Sequence, residues 1–301
     1  MSNKDYYNRI LSNKYTDYKV KNPMILIDFL INCVPGTSRS KAKKLLSNKM
    51  VFVNQVITTQ FDTPLKPGQL VQIANKGNLH DLRNKFVKIV YEDAFIVVVA
   101  KECGIVSVPM PGTKENSVKN ILIEYVKRTN KKASVHTVHR LDRGTSGLMM
   151  FAKRRDVQQI LIEQWHQIIT ERKYVAVVDG YMENDKGTVT SWLSNNQKYV
   201  IFSSPINNGG KYAVTNYRTV KRNNDMSLVE LVLQTGRTNQ IRVHMQDLNH
   251  PVVGDDKYGK KSDKVNRLCL HAKSLCFYHP ITRELMKFDS PLPDLFTTLL
   301  K

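Results

Sequence analysis

The densest polar cluster of the chain is the segment HTVHRLDRGTS, residues 136–146. In this segment Asp142 lies between Arg140 and Arg143, and neighbouring cations favour the ionised form of an aspartate. An ionised carboxylate is suited to act as a nucleophile or an electrostatic stabiliser, and less suited to donate a proton at neutral pH. A structural interpretation stays open beside the chemical one, in which Asp142 only pairs with an arginine next to a turn.

A second polar cluster is QTGRTNQIRVH, residues 234–244. Gly236 permits a tight entry into a predicted helix that Thr238 can cap. Arg242 lies next to the apolar face of this helix, so its guanidinium can point inward, where a buried arginine has to be paired. Asp142 is the first candidate partner, and a bidentate pair would fix the orientation of its carboxylate. The alternatives are another acid or an RNA phosphate.

Tyr174 is the third residue with possible chemistry, because it follows Lys173 at the start of a predicted strand. A tyrosine in such a strand is most often a core aromatic. It can also serve as a platform on which a nucleobase stacks.

The elements that position these residues follow from apolar patterning. Strands are predicted at 95–100, 147–153, 172–179, 187–192, 212–221 and 227–234. Helices are predicted at 116–128 with Asn116 or Ser117 as cap, and at 156–170, 238–248 and 294–300. Many strands, few alternating strand–helix units and no internal repeat predict an α+β domain on a mixed, largely antiparallel sheet.

The front of the chain has a different pattern. We predict an apolar helix at 24–34, a basic helix at 38–50 capped by Thr37 or Ser38, and strands at 51–53, 56–58 and 69–73. The residues Asn54 and Gln55 form the predicted hairpin turn. The cations of the second helix are either a solvated face or a surface for phosphates, and their spacing favours phosphates; they are Arg39, Lys41, Lys43 and Lys44.

This division predicts four parts. Residues 1–22 are a polar extension, loosely ordered or a short helix, and residues 23–76 are a small α+β domain. Residues 77–85 form a linker, and residues 86–301 form a large domain that contains the three candidate residues Asp142, Tyr174 and Arg242.

The charge balance indicates a polyanionic partner. The 301 residues contain 46 Lys and Arg against 26 Asp and Glu, a net charge of +20. Residues 1–90 hold 15 basic and 5 acidic residues, so less than a third of the chain carries half of the excess. Such a distribution favours a basic module at the front that binds nucleic acid.

Several classes of protein are excluded by missing patterns. The sequence has no apolar run long enough for a membrane span and no apolar centre of a signal peptide. The cysteines form no CxxC pair and the histidines no HExxH spacing, which predicts an intracellular, cytoplasmic protein with reduced thiols and no metal site. A Walker A loop and a dinucleotide fingerprint are absent, which excludes an RNA methyltransferase that needs a nucleotide-like cofactor.

The front domain resembles a known RNA-binding module. The pieces SRSKAKKLL, VFVNQVI and LKPGQLVQI, in this order, are similar to the S-four-like RNA-binding domain, over roughly residues 24–75. The resemblance implies RNA contacts from Arg39, Lys41, Lys44 and the turn at Asn54. Met24 and Ile25 stand where members of that family often carry Arg-Leu.

The larger part of the chain resembles the RluA family of pseudouridine synthases. The resemblance is carried by HRLDRGTSGLMMFAK, ERKYVAVVDG, GRTNQIRVHM and LCLHAKSLCFYHP, from about Val87 to Pro293. It implies that Asp142 is the catalytic aspartate, that Arg242 pairs with it, and that Tyr174 stacks on the target uracil. It also implies that Arg140 fills the gap left by a flipped base. Further candidates for contacts to RNA are Arg143, Thr145 and Arg237.

Two positions differ from the commonest form of this family. Gly144 follows the HRLDR run and Asn239 precedes QIRVH. Both flank the implied catalytic residues, so they bear on substrate preference more than on activity.

The resemblance implies a reaction without a cofactor. The uracil of a uridine detaches from its ribose, rotates, and rejoins through carbon five. Asp142 attacks the anomeric carbon, adds to the base, or acts as a base at the ribose, and the sequence does not choose among these routes. The implied partner is structured RNA, ribosomal RNA rather than tRNA, for a monomeric protein that does not bind membranes. The alternative function is a noncatalytic RNA-binding or RNA-folding factor.

Overall fold

The computed structural model describes residues 15–48, 50–54, 56–74, 82, 84–110, 112–113, 115–128, 130–195, 200–260 and 265–301. The chain divides into two compact units. The front unit lies within residues 15–82, and the larger unit takes up most of residues 84–301. Within the described ranges, no helix is long and apolar enough to cross a membrane, and all four cysteines are free thiols.

In its described residues the front unit contains two short helices and two small sheets. The helices are α1 (Leu26–Cys33) and α2 (Arg39–Ser47). The strands are β1 (Tyr15–Lys19), β2 (Met24–Ile25), β3 (Val51–Val53), β4 (Val56–Ile57), β5 (Pro64–Leu65) and β6 (Leu70–Ala74). Four of them form one antiparallel sheet in the order β1-β6-β3-β4, and β2 pairs with β5.

The apolar face of α2 packs into the core of the front unit. This face consists of Ala42, Leu45 and Leu46, which are all buried, as the helical spacing predicts. Ser38 is the helix cap, because its hydroxyl accepts a hydrogen bond from the backbone N–H of Lys41. The cations of α2 stay exposed, so the helix has one apolar and one basic face.

The prediction for the N-terminal extension is wrong over Tyr15–Lys19. These residues form neither a loose extension nor a helix, but the edge strand β1, which pairs with β6. Residues 1–14 of the extension lie outside the described residues, and so do 77–81 and 83 of the predicted linker.

Over its described ranges the larger unit is built on an 11-stranded sheet. Its strands are β7 (Val87–Glu92), β8 (Ile96–Lys101), β9 (His136–Thr137), β10 (Ser146–Ala152), β11 (Ile169–Asp179), β12 (Lys186–Asn195), β13 (Ile201–Ser204), β14 (Lys211–Arg222), β15 (Met226–Leu233), β16 (Leu270–Tyr278) and β17 (Leu285–Asp289). The order along the sheet is β13-β12-β14-β15-β11-β16-β10-β8-β7, with β17 beside β16 and β9 beside β10. Of the described strand pairs, β10 and β16 are parallel and the others antiparallel, which confirms the predicted α+β class.

Five described helices accompany this sheet. They are α3 (Val118–Lys127), α4 (Arg155–Glu163), α5 (Trp165–Ile168), α6 (Gln240–Asp247) and α7 (Asp294–Thr298). The single helix predicted at 156–170 is wrong in its second half, because α4 ends at Glu163, the short α5 follows, and Ile169 already begins β11. The strands β7, β9, β13, β16 and β17 were not predicted.

The parallel pair at the centre of the sheet requires a glycine. Gly147 at the start of β10 has a φ of +110°, and a Cβ there would lie 2.2 Å from the carbonyl oxygen of Ala272 on β16. A larger residue would separate the two strands or strain the backbone. This close approach fixes where the loop before β10 lies over the sheet.

Candidate active site

A cavity of about 400 Å³ lies over the point where β10, β11 and β16 meet. It is lined by all three predicted catalytic residues, Asp142, Tyr174 and Arg242, although 100 residues of chain separate the first from the last. Asp142 precedes β10, Tyr174 lies on β11, and Arg242 lies on α6. The sheet therefore brings together three sequence motifs that the chain keeps apart.

The loop that carries Asp142 is held by a buried lysine. Lys101, at the end of β8, is 1% exposed. Its ammonium donates hydrogen bonds to the backbone carbonyls of Glu102 (2.9 Å), Arg143 (3.1 Å) and Thr145 (2.7 Å). Desolvation by burial lowers the pKa of Lys101 to about 8, so the ammonium form still predominates at pH 7.

A serine fixes the other side of the same loop. The Ser107 hydroxyl donates to the carbonyl of Leu141 (2.7 Å) and accepts from its backbone N–H (3.0 Å). The backbone N–H of Thr145 donates to the carbonyl of Asp142 at 3.1 Å, which closes a turn. The Asp142 carboxylate is thus presented on a loop that is fixed on both sides.

Arg242 pairs with two carboxylates. Its Nη1 lies 3.5 Å from Oδ2 of Asp142, as the hypothesis of an Asp142–Arg242 pair expects. The bidentate bonds go elsewhere, however, because Nε and Nη2 donate to the two carboxylate oxygens of Asp255, at 2.7 Å each. The predicted bidentate geometry with Asp142 is therefore wrong. Arg242 also pairs with a second acid, Asp255, which is the alternative that the sequence left open.

Asp255 is the anchor of this arrangement. Its side chain is fully buried, and its Oδ1 also accepts from the backbone N–H groups of Lys257 and Tyr258. The guanidinium of Arg242 lies over the ring of Tyr258, 5.0 Å from its centroid. Desolvation lowers the pKa of Arg242, but the hydrogen bonds to Asp255 and the charges of Asp255 and Asp142 together outweigh it and raise the pKa, so this cation stays charged beside Asp142.

Asn239 belongs to the same cluster. It adopts a left-handed conformation with φ 54° at the start of α6. Its side-chain oxygen accepts from Arg242 Nη1 at 3.3 Å, and its amide donates to the Tyr258 hydroxyl at 2.9 Å. Gly144, the other position at which the chain differs from the commonest family form, lies against Leu268, to whose Cβ a Cβ at 144 would be 2.9 Å.

Tyr174 is 8% exposed and forms part of the floor of the cavity. It lies between Leu231 of β15 and Ala272 of β16 in the sheet. Desolvation raises the pKa of its hydroxyl, so the phenol is neutral at physiological pH. It is at once a core residue and a cavity residue, and its role as a platform for a nucleobase stays a prediction.

The start of α6 differs from the prediction. Thr238 does not cap the helix, because Asn239 occupies the N-cap position and makes no capping side-chain bond. Gln240 fixes the helix start instead. Its amide donates to the carbonyl of Val214 (3.0 Å) and the hydroxyl of Thr215 (2.9 Å), and its oxygen accepts from the N–H of Arg237 (2.9 Å).

The predicted RNA-binding residues of this unit fall into two groups. Arg140 and Arg237 are exposed and line the cavity, and Thr145 lines it as a buried residue. Arg143 does not line it, because its guanidinium pairs with Glu115 at 2.5 Å. The cation that lies beside Asp142 is therefore Arg242 from a distant segment, and not the adjacent Arg143.

The predicted RNA-binding residues of the front unit remain available for contacts. Arg39, Lys41 and Lys44 are exposed on α2, although Lys41 donates to the carbonyl of Gly36 at 3.1 Å. Asn54 has a φ of 48° in the turn after β3, and its side-chain oxygen accepts from the N–H of Leu70. Asn54 thus has at least a structural role in the hairpin.

Lys101 and Asp255 were missed by sequence reasoning. Lys101 ends an apolar strand, where a cation is unexpected unless it is paired, and that signal was available. Asp255 lies in VVGDDKYG, where nothing local distinguishes it from the exposed Asp256. The described residues hold no group of three His, Cys, Asp or Glu side chains that could ligate a metal ion.

Replacing Lys101 with methionine tests the support of the Asp142 loop. We expect the free energy of unfolding to fall by about 2–4 kcal/mol, because three carbonyls lose a charged donor and those that stay buried are left unsatisfied. The turnover rate should also fall, because Arg143 and Thr145 are no longer held next to Asp142. Urea unfolding measures the first effect, and initial rates of uridine isomerisation, the reaction that the resemblance implies, measure the second. Lys88→Met, at an exposed position of the neighbouring strand, should change neither, and an equal loss in both variants would contradict the role of Lys101.

Comparison with known proteins gives the class to which this fold and site belong. Residues 95–247 match the family model described as RNA pseudouridylate synthase. A solved structure titled human RNA Pseudouridylate Synthase Domain Containing 4 covers 69% of this chain and 90% of its own, with a TM-score of 0.57 and 23% identity, which establishes the similarity of the fold.

Two relatives agree with this class. The dual-specificity RNA pseudouridine synthase RluA of Vibrio cholerae is 37% identical over 206 residues, 66% of this chain and 80% of its own. Ribosomal large subunit pseudouridine synthase D of Buchnera aphidicola (subsp. Baizongia pistaciae) is 34% identical over 273 residues, 85% of this chain and 86% of its own. The chain belongs to the RNA pseudouridine synthases of the RluA family, and is an isomerase acting on RNA, which confirms the predicted family and reaction.

Proposed function

We propose that this pseudouridine synthase isomerises specific uridines in ribosomal RNA, with Asp142 as its catalytic aspartate. The observation that carries the catalytic assignment is the 3.5 Å approach of Arg242 to Asp142 inside the cavity that Tyr174 lines. The similarity to a ribosomal large-subunit synthase over 85% of this chain supports ribosomal RNA as the substrate.

The Asp142 carboxylate starts the reaction in this proposal. Attack on the anomeric carbon, addition to the base and proton abstraction at the ribose all require the ionised form. Arg242 forms an ion pair with this carboxylate and is itself held by Asp255. Because Arg242 donates its two shorter hydrogen bonds to Asp255, the Asp142 oxygens keep lone pairs that can accept from the substrate.

Tyr174 holds the uracil during its rotation. The target base has to leave its stack first, at a cost of a few kcal/mol unless it already lies in a loop. An aromatic ring fixed between two strands offers a rigid face on which a loosened uracil can turn without leaving. In the proposal Arg140, which is exposed and lines the cavity, fills the gap that the flipped base leaves in the RNA.

The front unit serves RNA binding in the same proposal. Its exposed basic helix α2 supports the assignment as an S-four-like domain within residues 23–76, followed by the linker and the catalytic domain from residue 86. A cytoplasmic location and a monomeric state stay predictions of the sequence.

Tritium release tests the substrate assignment. Large-subunit ribosomal RNA and a tRNA mixture, both transcribed with uridine tritiated at carbon five, are incubated separately with the protein. Isomerisation replaces the hydrogen at carbon five, so release from the ribosomal transcript supports the proposal. Release from tRNA alone overturns the ribosomal assignment, and release from neither overturns both. Pseudouridine mapping in a strain that lacks the protein then locates the uridine.

Neutralising the basic face of α2 tests the front unit. We expect Arg39→Gln, Lys41→Gln and Lys44→Gln together to weaken RNA binding and to reduce the slope of log affinity against log salt concentration by about 2, because each lost phosphate contact removes roughly 0.7–0.9. The reaction at Asp142 should remain possible at saturating RNA. Filter binding over a range of KCl concentrations measures the slope.

The matched control replaces three exposed lysines of the larger unit with glutamine, namely Lys127, Lys186 and Lys221. It loses the same charge and should keep the wild-type slope. If both triple variants behave alike, only the net charge matters, and the assignment of α2 as an RNA-binding surface is wrong.

A further inference from the structure

Arg172 shares a face of the sheet with Tyr174. The two residues are two positions apart on β11, so their side chains project from the same face, with Cα atoms roughly 6–7 Å apart. Both line the cavity that holds Asp142. Arg172 has no role in the reaction proposed above.

The guanidinium of Arg172 lies over an aromatic ring. Its Cζ is 5.6 Å from the ring centroid of Trp165 on α5, the distance of a cation–π contact. The residue is half-buried. Desolvation lowers its pKa, yet an arginine remains charged at neutral pH.

The half-buried Arg172 has no anionic partner in the part of the chain that the structure describes. Arg242 binds two carboxylates, and Arg143 binds Glu115. Arg172, in contrast, forms no ion pair and donates no side-chain hydrogen bond to any described residue. Because a partly desolvated charge without a partner costs stability, its position calls for a ligand.

Gly236 keeps the guanidinium accessible. A Cβ at position 236 would lie 2.6 Å from Nη1 of Arg172. The φ of Gly236 is not positive, so its conformation does not require glycine. A side chain at 236 would instead move the flexible end of Arg172 away from its present position.

The cavity as a whole has an excess of positive charge. Asp142 is the one acidic residue among the described residues that line it, and Arg242 already lies beside that carboxylate. Three further arginines line the same space, namely Arg140, Arg172 and Arg237. A single added carboxylate or phosphate would therefore enter a positive environment.

We infer that Arg172 binds the phosphodiester group that flanks the reacting uridine. This inference rests on the proposed function, in which Tyr174 receives the uracil and Asp142 faces the ribose. In a nucleotide the ribose separates the phosphate from the base. The spacing of Arg172 and Tyr174, two residues apart on one strand, is suited to binding these two groups at the same time. The planar fork of a guanidinium suits a bidentate contact to a phosphate. The contact holds the flipped nucleotide by its backbone, independent of the base.

Arg172→Gln tests the contact through binding. The probe is a synthetic RNA stem-loop of large-subunit ribosomal RNA that carries the uridine modified by the wild type. We expect the Kd to rise about 10-fold to 100-fold, as for one charge-assisted bond, and the salt slope to fall by about 0.7–0.9. Arg172→Lys keeps the charge and should retain the slope while binding more weakly. Arg218→Gln, at an exposed position of β14, is the matched control and should leave both quantities unchanged.

A neutral backbone linkage separates phosphate binding from a structural role. Stem-loops with a methylphosphonate on either side of the target uridine should bind the wild type about as weakly as Arg172→Gln binds the natural stem-loop, for one of the two linkages. That linkage should cost the Arg172→Gln protein nothing further. If either linkage weakens both proteins equally, or if Arg172→Gln lowers the thermal midpoint without changing the salt slope, Arg172 only supports Trp165 and the inference is wrong.

Failure here differs from failure of the proposed function. The Kd reports binding and not turnover, so the result stands whether or not Asp142 is the catalytic aspartate. If turnover requires Asp142 but Arg172→Gln leaves binding unchanged, the proposed reaction stands and only the phosphate contact is disproved.

Discussion

Asp142→Asn is expected to abolish pseudouridine formation, with a rate of tritium release at least about 10⁴-fold below that of the wild type, as for loss of an enzymic nucleophile. The neutral amide has nearly the shape of the carboxylate but cannot act as nucleophile or base. All three routes open to Asp142 fail together, so the expected result does not depend on which one operates. Single-turnover assays with excess enzyme measure the rate.

The same substitution should leave the fold and RNA binding almost unchanged. The Asp142 side chain makes no hydrogen bond to a described residue, and its contact with Arg242 is a 3.5 Å ion pair. Arg242 remains bound to Asp255 in the variant. The thermal midpoint and the Kd for the stem-loop should therefore stay near their wild-type values.

Asp185→Asn is the matched control, because Asp185 is an exposed aspartate paired with Arg222 on the surface. It should release tritium at the wild-type rate. Residual activity of Asp142→Asn above 1% of wild type, roughly two decades short of the expected loss, would move the catalytic role to another group.

The features that could be predicted from the sequence are those that depend only on residues close together in the chain. Asp142, Tyr174 and Arg242 each stand in a compact motif whose residues also form the nearest structure, a loop, a strand and a helix turn. The apolar face of α2 likewise follows from helical spacing alone. In these places each residue type and the element around it agree, so pattern reasoning is enough.

What the sequence did not reveal depends on contacts between distant segments. The strand β16 was missed although it lies at the centre of the sheet, because buried polar residues interrupt its pattern. His271 and Ser274 are tolerated there since Ser146 and Asp289 bind them, from 125 residues before and 15 residues after. A strand covered on both faces also lacks the alternation that marks a half-exposed one.

The partner of Arg242 was only half predictable for the same reason. Reasoning from charge required some acid beside a buried arginine, and the first motif supplied Asp142. The bidentate partner is instead Asp255, a buried residue 13 positions further along the chain. Neighbours in sequence were equally misleading at Arg143, which turns away to Glu115.

Asp255→Ala is expected to lower the free energy of unfolding by about 3–5 kcal/mol, because it leaves the charge of Arg242 buried without its principal partner. The rate of tritium release should fall about 100-fold as well, since a displacement near 1 Å in a catalytic group can cost that much. The freed guanidinium has Asp142 as its nearest carboxylate, and a closer pair would occupy the oxygens that the substrate needs. Urea unfolding and single-turnover rates measure the two effects.

The neighbouring Asp256 supplies the control, because it is exposed and Asp256→Ala should change neither quantity. A double variant separates burial of charge from general damage. In Asp255→Ala with Arg242→Leu no unpaired cation remains, so part of the lost stability should return while the activity stays lost. Additive losses of stability in the double variant would mean that the two residues do not act as a pair. Activity restored by Arg242→Leu would mean that Asp142 does not need the cation beside it.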